Sequence, residues 1–218
     1  DALPLRPAAA HLAERACGLL LGDGARPRKA DAVEVSPDAT LEELLVAVVS
    51  GCLRQIGDNE DAAVLGVDPE GVHQLRVGVR RLRSALAFFG PVLPERQRTA
   101  LREPLVWLGG ELGPARDLDV FAAEWLAPAL CARAGDAALA RFDDEVRTQR
   151  TAHYERVREA LRSDRYPRLL LEARRWLARC SWREHPLSAV SASLFLPAGD
   201  DTALRLERRH RKARKLAR

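Results

Sequence analysis

Apolar residues recur every three or four positions along nearly the whole chain, which is the spacing of one face of an α-helix. No run alternates apolar and polar residues between turn signals, so we predict no β-strand. The sequence therefore predicts an all-α fold in which helical hairpins stack as bundles. The predicted helices lie at about residues 8–21, 40–56, 69–89, 95–109, 114–133, 136–163, 165–181 and 200–218.

Local signals mark two of these helix starts. Thr40 and Glu43 have the spacing of a capping box. Asp68 followed by Pro69 supplies an N-cap residue with proline at the first helical position. We therefore expect well-defined first turns in the helices that follow.

Glycine and proline mark the predicted interruptions. Gly109-Gly110 and Gly113-Pro114 predict a break between the helices at 95–109 and 114–133, and Pro128 should distort the second of these. The segment 22–29 is rich in glycine, proline and charge, so it is typical of a linker. We expect an N-terminal tail and linker at 1–32 and a helical domain at 33–218.

Composition indicates a globular protein. Of the 218 residues, 47% are hydrophobic and 30% are charged, which separates the chain from disordered and fibrous sequences. No apolar run approaches the roughly 20 residues that a membrane-spanning helix needs, so we expect no membrane partner. The cysteines are far apart and form no C-x-x-C pair, which favours reduced thiols and a cytoplasmic location. They are Cys17, Cys52, Cys131 and Cys180.

Arginine carries nearly all of the positive charge. Lysine and arginine together number 35 against 31 acidic residues, a net charge of +4, yet only three of the 35 are lysines. A GC-rich genome alone can cause such a bias. The placement of the arginines is therefore more informative than their number.

On a helical wheel, the helix at 69–89 separates an apolar arc from a basic arc beside it. The apolar arc holds Leu75, Val79, Leu82, Leu86 and Phe89, and we expect it to face the core. The neighbouring arc holds four residues that we call the arginine row, at spacing i, i+3, i+7 and i+10 over roughly 15 Å. The arginine row consists of His73, Arg76, Arg80 and Arg83.

No acidic residue lies between residues 71 and 94, although like charges at these spacings repel by a few tenths of a kcal/mol per pair. Two kinds of group could neutralise the row. One is a set of carboxylates from neighbouring helices. The other is a bound polyanion, because the planar guanidinium fork matches phosphate oxygens. The candidate carboxylates are Asp117, Asp119, Asp143 and Asp144.

A second basic segment ends the chain. Residues 205–218 hold eight cations and a single acid, Glu207. Arg205, Arg208, Lys212 and Lys215 repeat the spacing of the arginine row. This segment is either a solvated terminal helix or a second basic surface facing the same channel.

Two motifs carry a family resemblance. The run at 72–86, VHQLRVGVRRLRSAL, closely resembles the signature helix of the CHAD family, the conserved histidine α-helical domain, and LGPARDLDV at 112–120 resembles its second marker. Segments 36–43 and 165–170 are also similar. The resemblance implies two pseudo-symmetric four-helix bundles around a basic channel that binds inorganic polyphosphate without catalysis.

The resemblance also implies a set of binding residues. From the signature helix and the second marker these are His73, Arg76, Arg80, Arg81, Arg83 and Arg116. From the terminal basic segment we add Arg208, Arg209, Lys212 and Lys215. On the wheel Arg81 points away from the arginine row, which favours an interhelical ion pair for that residue.

Members of this family often follow a CYTH triphosphatase-like domain or accompany polyphosphate granules. Residues 1–32 resemble the linker after such a domain, but the E-x-E-x-K signature of CYTH domains is absent. The sequence ends just after the basic helix that precedes the family's second His/Arg helix. We therefore expect the second half of the channel to be incomplete in this sequence.

No catalytic residue, metal site or cofactor is predicted. The histidines are scattered, and no phosphate-binding glycine loop or nucleophile elbow occurs. Two alternatives to a polyphosphate-binding module remain: a nucleic-acid-binding helical protein and a substrate-holding accessory domain of a CYTH-type triphosphatase. Aromatic residues make up only 5% of the chain and none interrupts the row to stack on bases, so nucleic acid is the less favoured ligand.

Overall fold

The computed structural model describes residues 26–186 and 188–216, and this part of the chain is all-α, as predicted. It contains no strand, and an isolated bridge pairs Thr40 with Pro197. The predicted helix at 8–21 lies outside the described residues. The helices are α1 (Leu41–Asp58), α2 (Glu60–Leu65), α3 (Pro69–Phe88), α4 (Glu95–Phe121), α5 (Ala127–Ala132), α6 (Ala137–Arg162), α7 (Arg165–Ala178) and α8 (Ala198–Leu216).

Both predicted helix starts are confirmed. At α1, the backbone N–H of Glu43 donates to Thr40 Oγ1 at 3.2 Å, and the backbone N–H of Thr40 donates to Glu43 Oε2 at 2.7 Å. At α3, the backbone N–H of Glu70 donates to Asp68 Oδ1 at 2.8 Å, with Pro69 as the first helical residue. These caps satisfy backbone donors that the first turn leaves free.

The predicted break at 109–114 is wrong, because α4 runs without interruption through Gly109, Gly110, Gly113 and Pro114. Glycine and proline weaken an isolated helix. Here both α3 and α6 pack against α4, so tertiary packing stabilises the helix. The distortion expected at Pro128 takes the form of a π-helical turn, Ala122–Leu126. In a regular helix the ring of Pro128 would clash with the carbonyl four residues earlier, and that carbonyl lies within the π-helical turn.

Helix α3 lies between α1 and α4, and its predicted apolar arc forms the centre of the core. All five residues of that arc are at most 2% exposed. Helices α6 and α7 pack against α4, and α7 also contacts α1. No helix in the described part of the chain is long and apolar enough to cross a membrane. The fold therefore fixes α3 rigidly and leaves its basic arc at the junction with α4.

The segment after α7 returns to the start of α1. The backbone N–H of Leu41 donates to the carbonyl of Leu196 at 3.0 Å, and that of Ala198 donates to the carbonyl of Ala39 at 2.8 Å. The buried carboxylate of Glu42 accepts from Trp182 Nε1 at 2.6 Å and from two nitrogens of Arg183. We call the contact of Glu42 with Trp182 and Arg183 the Glu42 clasp.

Candidate anion-binding site

The arginine row lies where α3 packs against α4, and two guanidinium groups lie against the backbone of α4. A β-carbon at Gly113 would be 3.5 Å from Arg76 Nη1, and a β-carbon at Gly109 would be 3.5 Å from Arg83 Nη1. The two helices are antiparallel, since the later residue of α3 meets the earlier residue of α4. The glycines that falsely predicted a helix break therefore leave room for the row.

Arg116 joins the row from α4 near His73. Burial lowers the pKa of His73, and the positive charges of Arg116, Arg80 and Arg76 lower it further, while Glu70 acts in the opposite direction. His73 is therefore predominantly neutral near pH 7. The structure thus places His73, Arg76, Arg80 and Arg83 on one arc of α3 and Arg116 on the neighbouring α4, and their binding role stays a prediction.

Protein carboxylates do little to neutralise this cluster. Asp117 Oδ1 is 3.9 Å from Arg76 Nη2, and their side chains are 75% and 38% exposed, so solvent screens the pair strongly. Within the described residues, Arg80, Arg83 and Arg116 form no ion pair with any carboxylate. Within the described residues, the row is therefore a concentration of guanidinium donors whose acidic partner, Asp117, is weak and solvent-screened.

Arg81 lies apart from the row. Its Nη1 donates to Gln55 Oε1 on α1 at 2.8 Å, and Gln55 Nε2 donates to Gln74 Oε1 at 2.9 Å. The partner is an amide rather than the carboxylate that the wheel suggested. Because this contact lies between α3 and α1, the structure does not bring Arg81 to the arginine row.

The terminal basic segment forms α8, which packs against α1. The side chains of Arg208, Arg209 and Lys212 lie outside the described part of the structure, and Lys215 is exposed. Their assignment to the binding site stays a prediction.

The sequence named Asp119 as a candidate carboxylate partner of the arginines, but it did not predict the buried polar cluster that Asp119 forms with Arg150 and Tyr154, which we call the Asp119 clamp. Asp119 on α4 is only 6% exposed. Its Oδ1 accepts from Arg150 Nε at 2.6 Å, and its Oδ2 accepts from the Tyr154 hydroxyl at 2.8 Å. The Arg150 guanidinium lies over the Tyr154 ring, 4.5 Å from its centroid. The clamp therefore joins α4 to α6.

The electrostatics of the clamp favour a charged Arg150 and a neutral Tyr154. Burial and the hydrogen bond to Asp119 raise the pKa of Tyr154. Burial alone would lower the pKa of Arg150, but the hydrogen bond and the charge of Asp119 raise it. One signal could have revealed the clamp: Asp119 continues the core spacing of Leu112 and Ala115, and a carboxylate at a core position requires buried partners.

The chemistry of this site is that of anion binding. Arginine side chains are donors only, and a neutral histidine adds one donor and one acceptor. In residues 26–186 and 188–216, no three or more His, Cys, Asp or Glu side chains come together as a group that could hold a metal ion. The arrangement can hold an extended anion by charge and hydrogen bonds along about three turns of α3.

Comparison with known proteins identifies the family. The sequence profile of the CHAD domain matches residues 47–218, which include the whole row and the Asp119 clamp. The crystal structure of the CHAD domain from the plant Ricinus communis is 38% identical, with a TM-score of 0.64 over 76% of this chain. The chain spans about half, 55%, of that plant structure. No curated protein matches the sequence. With a profile match over most of its length, the chain belongs to the CHAD domain family.

Proposed function

We propose that the chain binds inorganic polyphosphate along the arginine row and does so without chemical turnover. One observation supports this most strongly: Arg80, Arg83 and Arg116 have no carboxylate partner in the described structure. Like charges held this close favour a polyvalent anion, which relieves their repulsion and accepts their hydrogen bonds.

The shape of the row favours a linear ligand. From His73 to Arg83 the row extends over ten residues of α3, or roughly 15 Å. A chain of phosphates repeats its negative charge along a line and so reaches several guanidinium groups at once. Orthophosphate or triphosphate reaches only part of the row, so affinity should increase with chain length.

Binding without turnover fits the residues at the row. Hydrolysis of a phosphoanhydride requires a nucleophile or an activated water, commonly held by metal ions and carboxylates. Near the row, Asp117 is exposed at 3.9 Å from Arg76, and Glu70 accepts a hydrogen bond from Gln74 Nε2 at 2.6 Å, so among the described residues neither belongs to a carboxylate cluster that could hold a metal ion. We therefore infer a scaffold that holds the polyanion rather than an enzyme that cleaves it.

The partners that follow from this proposal are polyphosphate itself and polyphosphate granules in the cytoplasm. Beside a CYTH domain, the same row would hold substrate for a neighbouring triphosphatase. Nucleic acid is the competing ligand, because unpaired arginines attract any phosphate backbone.

A calorimetric titration with orthophosphate, triphosphate and polyphosphates of increasing length tests the proposal. We expect affinity to rise steeply with length and no phosphate to be released on incubation. Single-stranded RNA at equal phosphate concentration should compete poorly. Equal affinity for triphosphate and long-chain polyphosphate, or preferential binding of RNA, would overturn the proposal.

A further inference from the structure

We propose that Arg150 is a further phosphate-binding residue, which extends the arginine row onto α6, and that Asp119 and Tyr154 are the residues that position it. This inference rests on the proposed binding of polyphosphate to the row. It adds a third helix to the site and assigns a role to the Asp119 clamp.

Along the axis of α4, the Asp119 clamp lies at the level that follows the row. Along α4, Arg83 lies beside Gly109 and Arg76 beside Gly113, and Arg116 follows three residues later. Asp119 comes one further turn along, about 4.5 Å beyond Arg116. Because Asp119 binds Arg150 directly, a guanidinium group is present at each successive level of α4, contributed by α3, α4 and α6 in turn.

The clamp holds Arg150 by one edge. Asp119 Oδ1 accepts a hydrogen bond from Arg150 Nε, while Asp119 Oδ2 accepts one from the Tyr154 hydroxyl. In the described structure neither terminal nitrogen of Arg150 donates to a carboxylate, and its side chain is 32% exposed. Tyr154 therefore prevents the two-point pairing that an arginine and a carboxylate usually form.

The Glu42 clasp shows the contrasting arrangement within the same molecule. There Arg183 donates from Nε to Oε1 of Glu42 and from Nη2 to Oε2. Both carboxylate oxygens accept from the same guanidinium, so its paired edge is fully used. In the Asp119 clamp the second oxygen is given to a tyrosine, and the terminal nitrogens of Arg150 stay available.

The clamp also reduces the conformational entropy that Arg150 loses when phosphate binds. The Asp119 hydrogen bond fixes the guanidinium at one edge, and the Tyr154 ring supports its face at 4.5 Å. An arginine held in this way loses less rotamer freedom when it binds phosphate than a freely moving one. Arg150 is therefore organised before the ligand arrives.

Two substitutions test this directly, with long-chain polyphosphate as the probe and affinity measured over a range of salt concentrations. Arg150→Gln should lower affinity about tenfold and make the slope of log affinity against log salt shallower by about one. The matched control is Arg147→Gln, one turn earlier on α6, where the arginine is paired with Asp143 at 2.8 Å. The control should bind like the wild type.

Tyr154→Phe removes no charge but frees Asp119 Oδ2, so Arg150 can donate from two nitrogens to both oxygens of Asp119. We expect affinity to fall about threefold to tenfold. If Asp119 only neutralised Arg150 as a structural pair, affinity would stay the same and only stability would change. Circular dichroism checks that each variant is folded. If Arg150→Gln does not fold, the affinity of Tyr154→Phe tests the role of Arg150 by itself.

The outcomes separate the two proposals. If the wild-type chain does not bind polyphosphate, the proposed function falls and this inference falls with it. If the wild type binds and substitutions in the row weaken binding, while Arg150→Gln and Tyr154→Phe leave affinity and salt slope unchanged, only the role of Arg150 is overturned.

Discussion

The Glu42 clasp and the arginine row use the same side chain in opposite ways. In the clasp, Arg183 donates to the buried carboxylate of Glu42 and so joins the segment after α7 to α1. In the row, Arg83 lies beside Gly109 of α4 and Arg80 is exposed, and neither has a carboxylate partner in the described residues. In a chain whose cations are almost all arginine, the extent to which an acid occupies the guanidinium group therefore separates arginines that hold the fold from those available to a ligand.

Charge reversal in the row should have the largest effect on binding. Each charge-assisted hydrogen bond contributes about 1.5–3 kcal/mol. Arg76→Glu with Arg80→Glu should therefore lower affinity for long-chain polyphosphate by at least about 100-fold in calorimetry. Helicity should be unchanged, because neither residue belongs to the buried arc.

The matched control reverses two exposed arginines elsewhere, Arg162→Glu and Arg168→Glu, which change the net charge equally. It should retain most of the affinity. If the control loses as much affinity as the row variant, general charge rather than the row determines binding.

Removal of the clasp should affect stability and leave binding intact. Glu42→Ala leaves the Trp182 indole N–H buried without its acceptor, which costs about 1–3 kcal/mol in urea unfolding. Arg183 lowers the pKa of Glu42, so the clasp contributes fully above the ordinary pKa of a glutamate and is lost as pH falls through the folded-state pKa. A large loss of polyphosphate affinity in Glu42→Ala would contradict the separation of the two regions.

The glycine beside Arg76 gives a graded test. At Gly113 a β-carbon meets Arg76 Nη1 at 3.5 Å, an ordinary contact, so Gly113→Ala should keep its affinity and stabilise α4 by up to about 1 kcal/mol. Gly113→Leu should displace the guanidinium and weaken binding roughly tenfold. Similar affinities of the two variants would show that the position of Arg76 against α4 is unimportant.

His73 should give the smallest effect, a few-fold dependence on pH. Its pKa is lowered in the free protein, whereas a bound polyanion favours the imidazolium, so binding takes up a proton. Affinity should therefore rise as pH falls from about 7.5 to about 5.5, and His73→Gln should flatten this rise. An unchanged pH profile in the variant would assign the titration to another group.

Much of the site could be predicted because its residues share one helix. The spacing of His73, Arg76, Arg80 and Arg83 determines their common face, and the apolar arc beside it determines which side is buried. The capping residues of α1 and α3 follow from equally local patterns. Each of these features depends on residues within a few turns of one another.

The features that were missed depend on residues distant in sequence. Gly109 and Gly113 were interpreted as helix breakers because nothing near them shows that Arg83 and Arg76 come to lie there. The Asp119 clamp joins α4 to α6 across 31 residues. Periodicity places Asp119 among core positions, but which side chain compensates its charge depends on tertiary packing.

The most direct test of the central claim is the salt dependence of long-chain polyphosphate binding, compared between the wild type and the Arg80→Gln, Arg83→Gln double variant. If these unpaired arginines contact phosphates, log affinity of the wild type falls linearly with log salt. The variant's slope should then be shallower by roughly one to two, about 0.7–0.9 for each lost contact. Identical slopes in a folded variant would contradict the account.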